Sequence, residues 1–170
     1  MKNWKQKPKS VFFSKKKEKL FLINLKKLNI LKLKKNQKDF KSRICVHNNN
    51  NDLIHEMFVF HKKGAYVRPH KHLVKLESFM ILDGEVELVI FSDKGKIIKK
   101  INMGAPKSGK PFFYKMKKNF FHTQIIKRDT LFKEVTSGPF KKNKTLMAKW
   151  SPESKNLKEV KKFLKFLNNH

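Results

Sequence analysis

Two histidines separated by one residue, with a glutamate five residues after the second, carry the clearest chemistry in this 170-residue sequence. They lie in GAYVRPHKHLVKLESFMILDG, which fits the spacing G-x5-H-x-H-x4-E-x6-G from Gly64 to Gly84. Residues two apart on a β-strand point to the same face, with Cα atoms roughly 7 Å apart. His70 and His72 can therefore both reach one ion, and Glu77 can add a carboxylate.

A third imidazole, His122, follows in the segment NFFHT. Three imidazoles and one carboxylate suit Fe(II), Mn(II), Ni(II), Co(II) or Zn(II). Four protein ligands leave one or two positions open on an octahedral ion, as in a catalytic rather than a closed structural site. The alternative, that the fold keeps these side chains without a metal, is disfavoured because burying them unpaired is costly. The sequence predicts one divalent transition metal at His70, His72, Glu77 and His122.

The first of these patterns resembles the first conserved motif of the cupin superfamily at every defining position. The second cupin motif, G-x5-P-x-G-x2-H-x3-N, is matched only at His122. Lys117 replaces its proline, Asn119 its inner glycine and Ile126 its final asparagine. Asn119 is a mild change, because asparagine tolerates the left-handed backbone that a turn glycine supplies. The resemblance implies a cupin barrel that holds a metal.

A closer resemblance is to the WbuC-type family of cupin-fold metalloproteins. It rests on YVRPHKH, the E-x6-G turn, FFHT, EVTSGPF and AKWSPE, which occur in that order over about residues 43 to 153. Members of that family are often encoded with enzymes of O-antigen, lipopolysaccharide or other surface polysaccharide synthesis, and their reaction is not established. The resemblance implies a metabolic setting and a small-molecule ligand such as a sugar or another anionic metabolite.

Tyr66 and Arg68 are the candidate substrate-binding residues. On the predicted strand AYVRPHKH both side chains share the face of His70 and His72, so they point into the barrel if the histidines do. Arg68 would then anchor an anion such as a carboxylate or phosphate. The alternative, an ion pair with an internal acid such as Glu134, is equally compatible with the sequence. For Tyr66, a core ring with a satisfied hydroxyl is the favoured alternative.

Many short apolar segments between turn signals predict an all-β fold, a single jelly-roll cupin barrel over residues 43–153. The predicted strands are MFVFH, AYVRPHKH, SFMIL, VELVIF, KIIKKINM, FFYKM, HTQIIK, LFKEVT and LMAKW. A C-terminal amphipathic helix over residues 154–170 is predicted to begin with Ser151 as its N-cap and Pro152 as its first residue. Its apolar face would contain Leu157, Val160, Leu164 and Leu167.

Residues 1–42 form a basic extension, with 15 lysines against Glu18 and Asp39. We expect this extension to be partly disordered, with the first 19 residues loosely held. Residues 20–33 fit either a helix or a strand. We favour their packing on the barrel over a helix that lies on a membrane surface.

The formal net charge of +29 comes almost entirely from lysine, because only Arg43, Arg68 and Arg128 are arginines. A nucleic-acid-binding protein would use arginine for base and phosphate contacts, and no known nucleic-acid-binding motif is present. We interpret the charge as a solvated lysine surface and expect no specific nucleic-acid partner. The expected partners are the small-molecule ligand and a second copy of the chain in a homodimer.

The single cysteine, Cys45, cannot form an internal disulfide, which indicates a reducing cytoplasm. We expect Cys45 to be a small buried residue rather than a nucleophile. Residues 20–33 are interrupted by lysines and too short to span a membrane. The remaining histidines, His47, His55, His61 and His170, are interpreted as packing or surface residues, with His47 a possible pocket-lining residue.

Overall fold

The computed structural model describes residues 4–6, 11–14, 19–33 and 41–170 of the chain. These residues form two β-sheets that face each other, with short helices on the outside. The strands are β1 (Trp4–Gln6), β2 (Val11–Ser14), β3 (Lys41–Cys45), β4 (Ile54–His61), β5 (His70–His72), β6 (Glu77–Asp83), β7 (Glu85–Phe91), β8 (Ile97–Gly104), β9 (Phe113–Met116), β10 (Phe121–Ile126), β11 (Thr130–Ser137) and β12 (Thr145–Met147). The α-helices are α1 (Leu25–Leu28), α2 (Ile30–Leu33) and α3 (Leu157–Asn169). Two 3-10 turns, Pro106–Ser108 and Lys142–Lys144, complete the described elements.

The larger sheet has the strand order β1-β2-β3-β4-β11-β6-β9, and the smaller has the order β12-β5-β10-β7-β8. Among these pairs only β2 and β3 run parallel. Neighbours such as β4 and β11 are far apart in sequence, as expected when a chain winds back and forth between two sheets. The predicted all-β jelly-roll barrel with a C-terminal helix is therefore confirmed.

Alternation along the strands separates the barrel interior from the outer faces. On β4, Met57 and Val59 belong to the interior cluster, together with Cys45, Phe79, Leu88 and Phe132. The intervening Phe58 and Phe60 belong to a second cluster with α1 and α2. Side chains at successive strand positions point to opposite faces, so one strand serves both layers. Cys45 is buried and free, as predicted.

Residues 20–33 pack on the outside of the larger sheet. They form α1 and α2 rather than a strand, and Leu28 and Leu31 are buried against Ile44, Phe60 and Leu131. The side chain of Asn24 caps α1 by accepting a hydrogen bond from the Lys27 N–H at 2.9 Å. These contacts support packing on the barrel. No helix in the described ranges is both long and apolar enough to cross a membrane.

Two features of the N-terminal and histidine-bearing segments differ from the prediction. Trp4–Gln6 and Val11–Ser14 are strands at one edge of the larger sheet, where a loosely held segment was predicted. The other residues of 1–18 lie outside the described residues. The predicted strand over residues 65–72 is also too long, because only His70–His72 pairs with its neighbours. Apolar alternation alone does not reveal whether a segment finds a pairing partner.

The C-terminal helix starts later than predicted. Its N-cap is Asn156, whose side chain accepts a hydrogen bond from the Glu159 N–H at 3.3 Å. Ser151 lies six residues before the first helical residue, Leu157, and its hydroxyl donates to the Ala148 carbonyl at 2.9 Å in a separate turn. Val160 and Leu167 are buried on the outer face of the smaller sheet, whereas Leu157 is exposed.

Candidate metal centre

Three strands from both sheets bring His70, His72, Glu77 and His122 together. β5 carries His70 and His72, and the antiparallel pairing of β5 with β10 places His122 directly opposite His70. Glu77 is the first residue of β6 in the larger sheet. One possible ligand atom from each of the four residues lies within 4.8 Å of all the others. The structure therefore joins all four residues that the sequence predicted as metal ligands.

Glu77 lies at the centre of this cluster and is almost fully buried. Its Oε2 is 3.2 Å from His72 Nε2, and its Oε1 is 3.6 Å from His122 Nε2. The Tyr114 hydroxyl donates to Glu77 Oε1 at 2.6 Å, and Gln124 Nε2 donates to the Tyr114 oxygen at 2.8 Å. This chain of hydrogen bonds fixes the carboxylate with both oxygens toward the histidines.

The Nδ1 atom of each histidine has a partner outside the cluster. His70 Nδ1 donates to the Arg68 carbonyl at 2.9 Å, and His122 Nδ1 donates to the Phe120 carbonyl at 3.0 Å. His72 Nδ1 is 3.1 Å from the Thr145 hydroxyl. The carbonyl partners make Nδ1 the donor in His70 and His122, which leaves Nε2 to bind a metal. The Thr145 hydroxyl can donate or accept, so it orients the His72 ring without fixing its tautomer.

The buried Nε2 of His122 makes no hydrogen bond, because its distance to Glu77 exceeds hydrogen-bonding range. A buried polar atom without a partner is costly and calls for an explanation. A divalent ion would satisfy it, and the donor set of three imidazoles and one carboxylate is suited to transition metals. The residues present thus fit a metal.

The electrostatics of the cluster favour the metal-ligating protonation states of His70 and Glu77, but they oppose that of His122. Burial, together with the neighbouring His122, lowers the pKa of His70 to about 4, so its imidazole is neutral. Burial raises the pKa of Glu77, but contacts with His122, His72 and Tyr114 outweigh burial and hold this pKa well below its usual value. Burial lowers the pKa of His122, and the Glu77 carboxylate more than offsets it, so this pKa is raised. A metal would have to displace a proton from His122 when that ring is protonated.

Arg68 and Tyr66 face the C-terminal segment in this structure. The Arg68 guanidinium donates from Nε to the Ser151 hydroxyl at 3.3 Å and from Nη2 to the Ala148 and Ser151 carbonyls at 3.3 and 3.4 Å. The Tyr66 hydroxyl donates to the Pro152 carbonyl at 2.9 Å, and its ring contacts Phe163 of α3 edge-on. The parity argument does not apply to either residue, because the strand begins only at His70. Their role in substrate binding stays a prediction.

The interior acid Glu134 has other cations near it than the one predicted. Burial and the Glu77 carboxylate raise the pKa of Glu134 to about 7, against the opposing effects of Arg43 and Lys75. Lys75 is itself buried, and its ammonium group lies 4.7 Å from the centre of the Phe140 ring. The proposed pairing of Arg68 with Glu134 is therefore not the one that the structure displays.

Four residues near the site were not singled out from the sequence: Tyr114, Gln124, Thr145 and Lys75. Gln124 shares strand parity with His122, which is the one signal that could have placed it beside the metal ligands. Tyr114, Thr145 and Lys75 reach the cluster from other strands or loops, and no spacing in the sequence links them to it.

The other histidines lie apart from the cluster. His47 and His55 are buried and stack face to face, with ring centres 4.2 Å apart. His61 is buried edge-on against Phe132 at 5.0 Å. His170 is exposed at the end of the chain. The interpretation of these histidines as packing or surface residues is consistent with their positions.

A family model for a domain of unknown function, DUF6016, matches residues 34–103. No curated protein matches the sequence. Among solved structures, an uncharacterised conserved protein with a double-stranded β-helix domain from Klebsiella pneumoniae is 13% identical, with a TM-score of 0.50 over 66% of this chain and 82% of that one. CapF, solved with the inhibitor 3-isopropenyl-tropolone, is 16% identical, with a TM-score of 0.52 over 66% of this chain. This chain spans only 32% of the CapF chain.

These similarities establish the fold. The chain has the double-stranded β-helix, or cupin, architecture, and within it a cluster of three histidines and one glutamate that could hold a metal ion. This combination defines the class to which the protein is assigned, a cupin-fold protein with a candidate metal centre.

Proposed function

We propose that this protein binds one divalent transition metal ion through His70, His72, Glu77 and His122 and acts as an enzyme on a small molecule. The observation that carries this proposal is the convergence of four ligand atoms within 4.8 Å around a buried His122 Nε2 that has no hydrogen-bond partner. Iron, manganese, nickel, cobalt and zinc all suit the donor set.

The chain's own residues would prepare the site before a metal arrives. The Arg68 and Phe120 carbonyls and the Thr145 hydroxyl orient the three imidazoles, and Tyr114 fixes the carboxylate. When bound, the ion would supply Lewis acidity that can activate water, polarise a carbonyl or bind dioxygen. Two further ionisable groups in the barrel interior would lie beside the ion. They are the Glu134 carboxyl group, whose pKa is raised to about 7, and the buried ammonium group of Lys75.

The proposed substrate is a sugar or another anionic metabolite, and the proposed setting is surface polysaccharide or O-antigen synthesis in a reducing cytoplasm. The setting is supported by the resemblance of YVRPHKH, FFHT, EVTSGPF and AKWSPE to the WbuC-type family. The alternative is a non-catalytic, metal-dependent binding or accessory protein of the same pathway. Turnover of any candidate substrate by the metal-loaded protein distinguishes the two.

Elemental analysis of purified protein tests the metal assignment. We expect close to one transition-metal ion per chain in the natural protein and almost none in the double variant His70→Ala, His72→Ala. His170→Ala removes an exposed histidine outside the cluster and should retain the metal. Circular dichroism on all three proteins checks that the metal is lost with its ligands and not with the fold. Full metal occupancy in the double variant would show that the assignment is wrong.

A further inference from the structure

A cavity of about 330 Å³ lies beside the candidate metal centre, with Tyr114 in its wall. Its walls come from β7, β8, β9 and the turn before β10. The lining residues are Leu88, Ile90, Ile101, Tyr114, Lys115, Met116, Lys117 and Phe120. This volume lies within the range of small-molecule sites in proteins, which is roughly 300–1,000 Å³.

Strand register connects this cavity to the metal-site residues. Ile90 of β7 lies directly opposite His122 of β10, and Met116 of β9 lies directly opposite Glu77 of β6. Directly opposed residues have Cβ atoms roughly 5 Å apart on the same face of a sheet. Tyr114 belongs to both places, since it lines the cavity and its hydroxyl donates to Glu77.

The walls of the cavity are mainly apolar. Leu88, Ile90, Ile101, Met116 and Phe120 offer no side-chain hydrogen-bonding groups, and the first four belong to the barrel's hydrophobic interior or pack against it. A polyhydroxylated sugar placed here would lose hydrogen bonds to water that these walls cannot replace. An aliphatic or aromatic group would instead gain from leaving water.

Two exposed lysines, Lys115 and Lys117, stand among the same lining residues. Their positive charge beside the cavity favours a negatively charged end on a ligand whose body fills the apolar part. A carboxylate meets this requirement with the smallest addition to the volume.

We propose that this cavity binds an organic acid with an aliphatic or aromatic body, and that such an acid, rather than an unmodified sugar, is the substrate class. As a statement about the substrate this rests on the proposed metal-dependent function. As a statement about binding it rests on the cavity walls alone, because the lining residues named above do not include the four metal ligands.

Two monocarboxylates that differ in polarity test the proposal. 3-Phenylpropionate and gluconate are titrated calorimetrically into metal-loaded protein and into protein treated with a chelator. We expect 3-phenylpropionate to bind at least tenfold more tightly than gluconate in both forms. Equal or tighter binding of gluconate would overturn the proposal.

A cavity-filling variant with a matched control locates the binding. Ile101→Trp should weaken 3-phenylpropionate binding at least tenfold, because the larger ring occupies the cavity. Ile98→Trp is placed on the same strand at a solvent-exposed position and should leave the affinity unchanged. If the two variants bind 3-phenylpropionate with identical affinities, the acid binds outside this cavity, and the proposal is overturned.

Charge reversal provides the test if Ile101→Trp does not fold. The double variant Lys115→Glu, Lys117→Glu changes exposed side chains and should weaken binding at least fivefold. The control Lys107→Glu, Lys118→Glu has the same net charge and alters exposed lysines outside the lining. If the two double variants weaken binding equally, the effect comes from the overall charge of the protein, and the proposal is overturned. Metal analysis before chelation separates the two hypotheses: protein that takes up no metal but binds the acid contradicts the proposed function only, whereas metal-loaded protein indifferent to the acid contradicts this inference only.

Discussion

Each metal-site residue depends on a neighbour that holds it in place. Backbone carbonyls hold His70 and His122, a hydroxyl holds His72, and Tyr114 holds Glu77. The four ligands could be predicted because the spacing of the histidines and the glutamate in the sequence is typical of a metal site. The residues that orient them could not, because backbone carbonyls leave no residue-type signal and Tyr114 comes from a separate strand.

Replacing Tyr114 with Phe should lower metal affinity about 10- to 100-fold, because Glu77 loses the hydrogen bond that orients it. The other tyrosine of the chain supplies a matched control. Tyr66→Phe removes a hydroxyl that bonds to the Pro152 carbonyl and should leave metal affinity unchanged. Competition with a chromogenic chelator measures both affinities. Equal affinities in the two variants would mean that Tyr114 does not position the ligand.

His61 should make the protein sensitive to acid. Burial, with Lys41 and Arg43 nearby, holds the pKa of His61 well below its usual value of 6.5. The unfolded chain therefore binds a proton at His61 before the folded chain does, and stability is lost as the pH falls below about 6.5. Between pH 8 and pH 5.5 this histidine should account for a loss on the order of 1 kcal/mol in the free energy of unfolding.

Urea unfolding of chelator-treated natural protein and of His61→Leu, at both pH values, measures this contribution as the difference between their pH dependences. His170→Leu serves as the control, because His170 is exposed. The stability of this variant should have the same pH dependence as that of the natural protein. Parallel pH profiles for the natural protein and His61→Leu would contradict the prediction.

At the scale of elements, the sequence predicted most of the barrel strands from β4 onward, including the edge strands β8 and β9. It failed at residues 65–69 and at the start of α3. Residues 66–69 alternate as a strand does, yet they are held by contacts outside the sheet, such as the Thr123 hydroxyl on the Val67 carbonyl. Ser151 and Pro152 have the composition of a helix start, but the Arg68 guanidinium donates to the Ser151 hydroxyl and carbonyl from a distant part of the chain. Tertiary hydrogen bonds decided both cases over local pattern.

The contacts of Arg68 connect the histidine-bearing segment to the turn before α3. Arg68→Lys keeps the charge but cannot donate from two guanidinium nitrogens to Ser151 and Ala148. We expect a loss of about 1–3 kcal/mol in the free energy of unfolding, with metal content retained. Arg128→Lys, at an exposed position, should have no comparable effect.

Thermal unfolding and ligand titration together distinguish the two roles of Arg68. Lower stability with unchanged affinity for an anionic ligand supports its role in holding the C-terminal segment. Unchanged stability with reduced affinity would support the substrate-anchor role predicted from the sequence.

At the scale of the whole molecule, the candidate metal centre lies between the two sheets. β5 and β10 belong to the smaller sheet, whereas β6 belongs to the larger one. An ion held by all four residues would therefore connect the sheets across the barrel. The sequence predicted the ligands, but it could not predict this connection, because strand order within sheets is set by long-range pairing.

Removal of the metal should consequently destabilise the whole barrel. At a free metal concentration 100 times the Kd, a site that exists only in the folded state contributes about 2.7 kcal/mol to stability. Chelator-treated protein should lose that amount in urea unfolding, and adding metal back should restore it. The His70→Ala, His72→Ala variant should show no response to added metal. A response equal to that of the natural protein would place the stabilising ion elsewhere.

The buried thiol of Cys45 gives the molecule an internal reporter of its own opening. This cysteine is the only one in the chain, it packs inside the barrel, and burial raises the pKa of its thiol to about 11. Only an accessible thiolate can attack the sulfur of a disulfide reagent and release its leaving thiol, so modification must wait until the sheets separate. The rate of labelling in dilute reagent would thus measure how often the barrel opens, without any engineered probe.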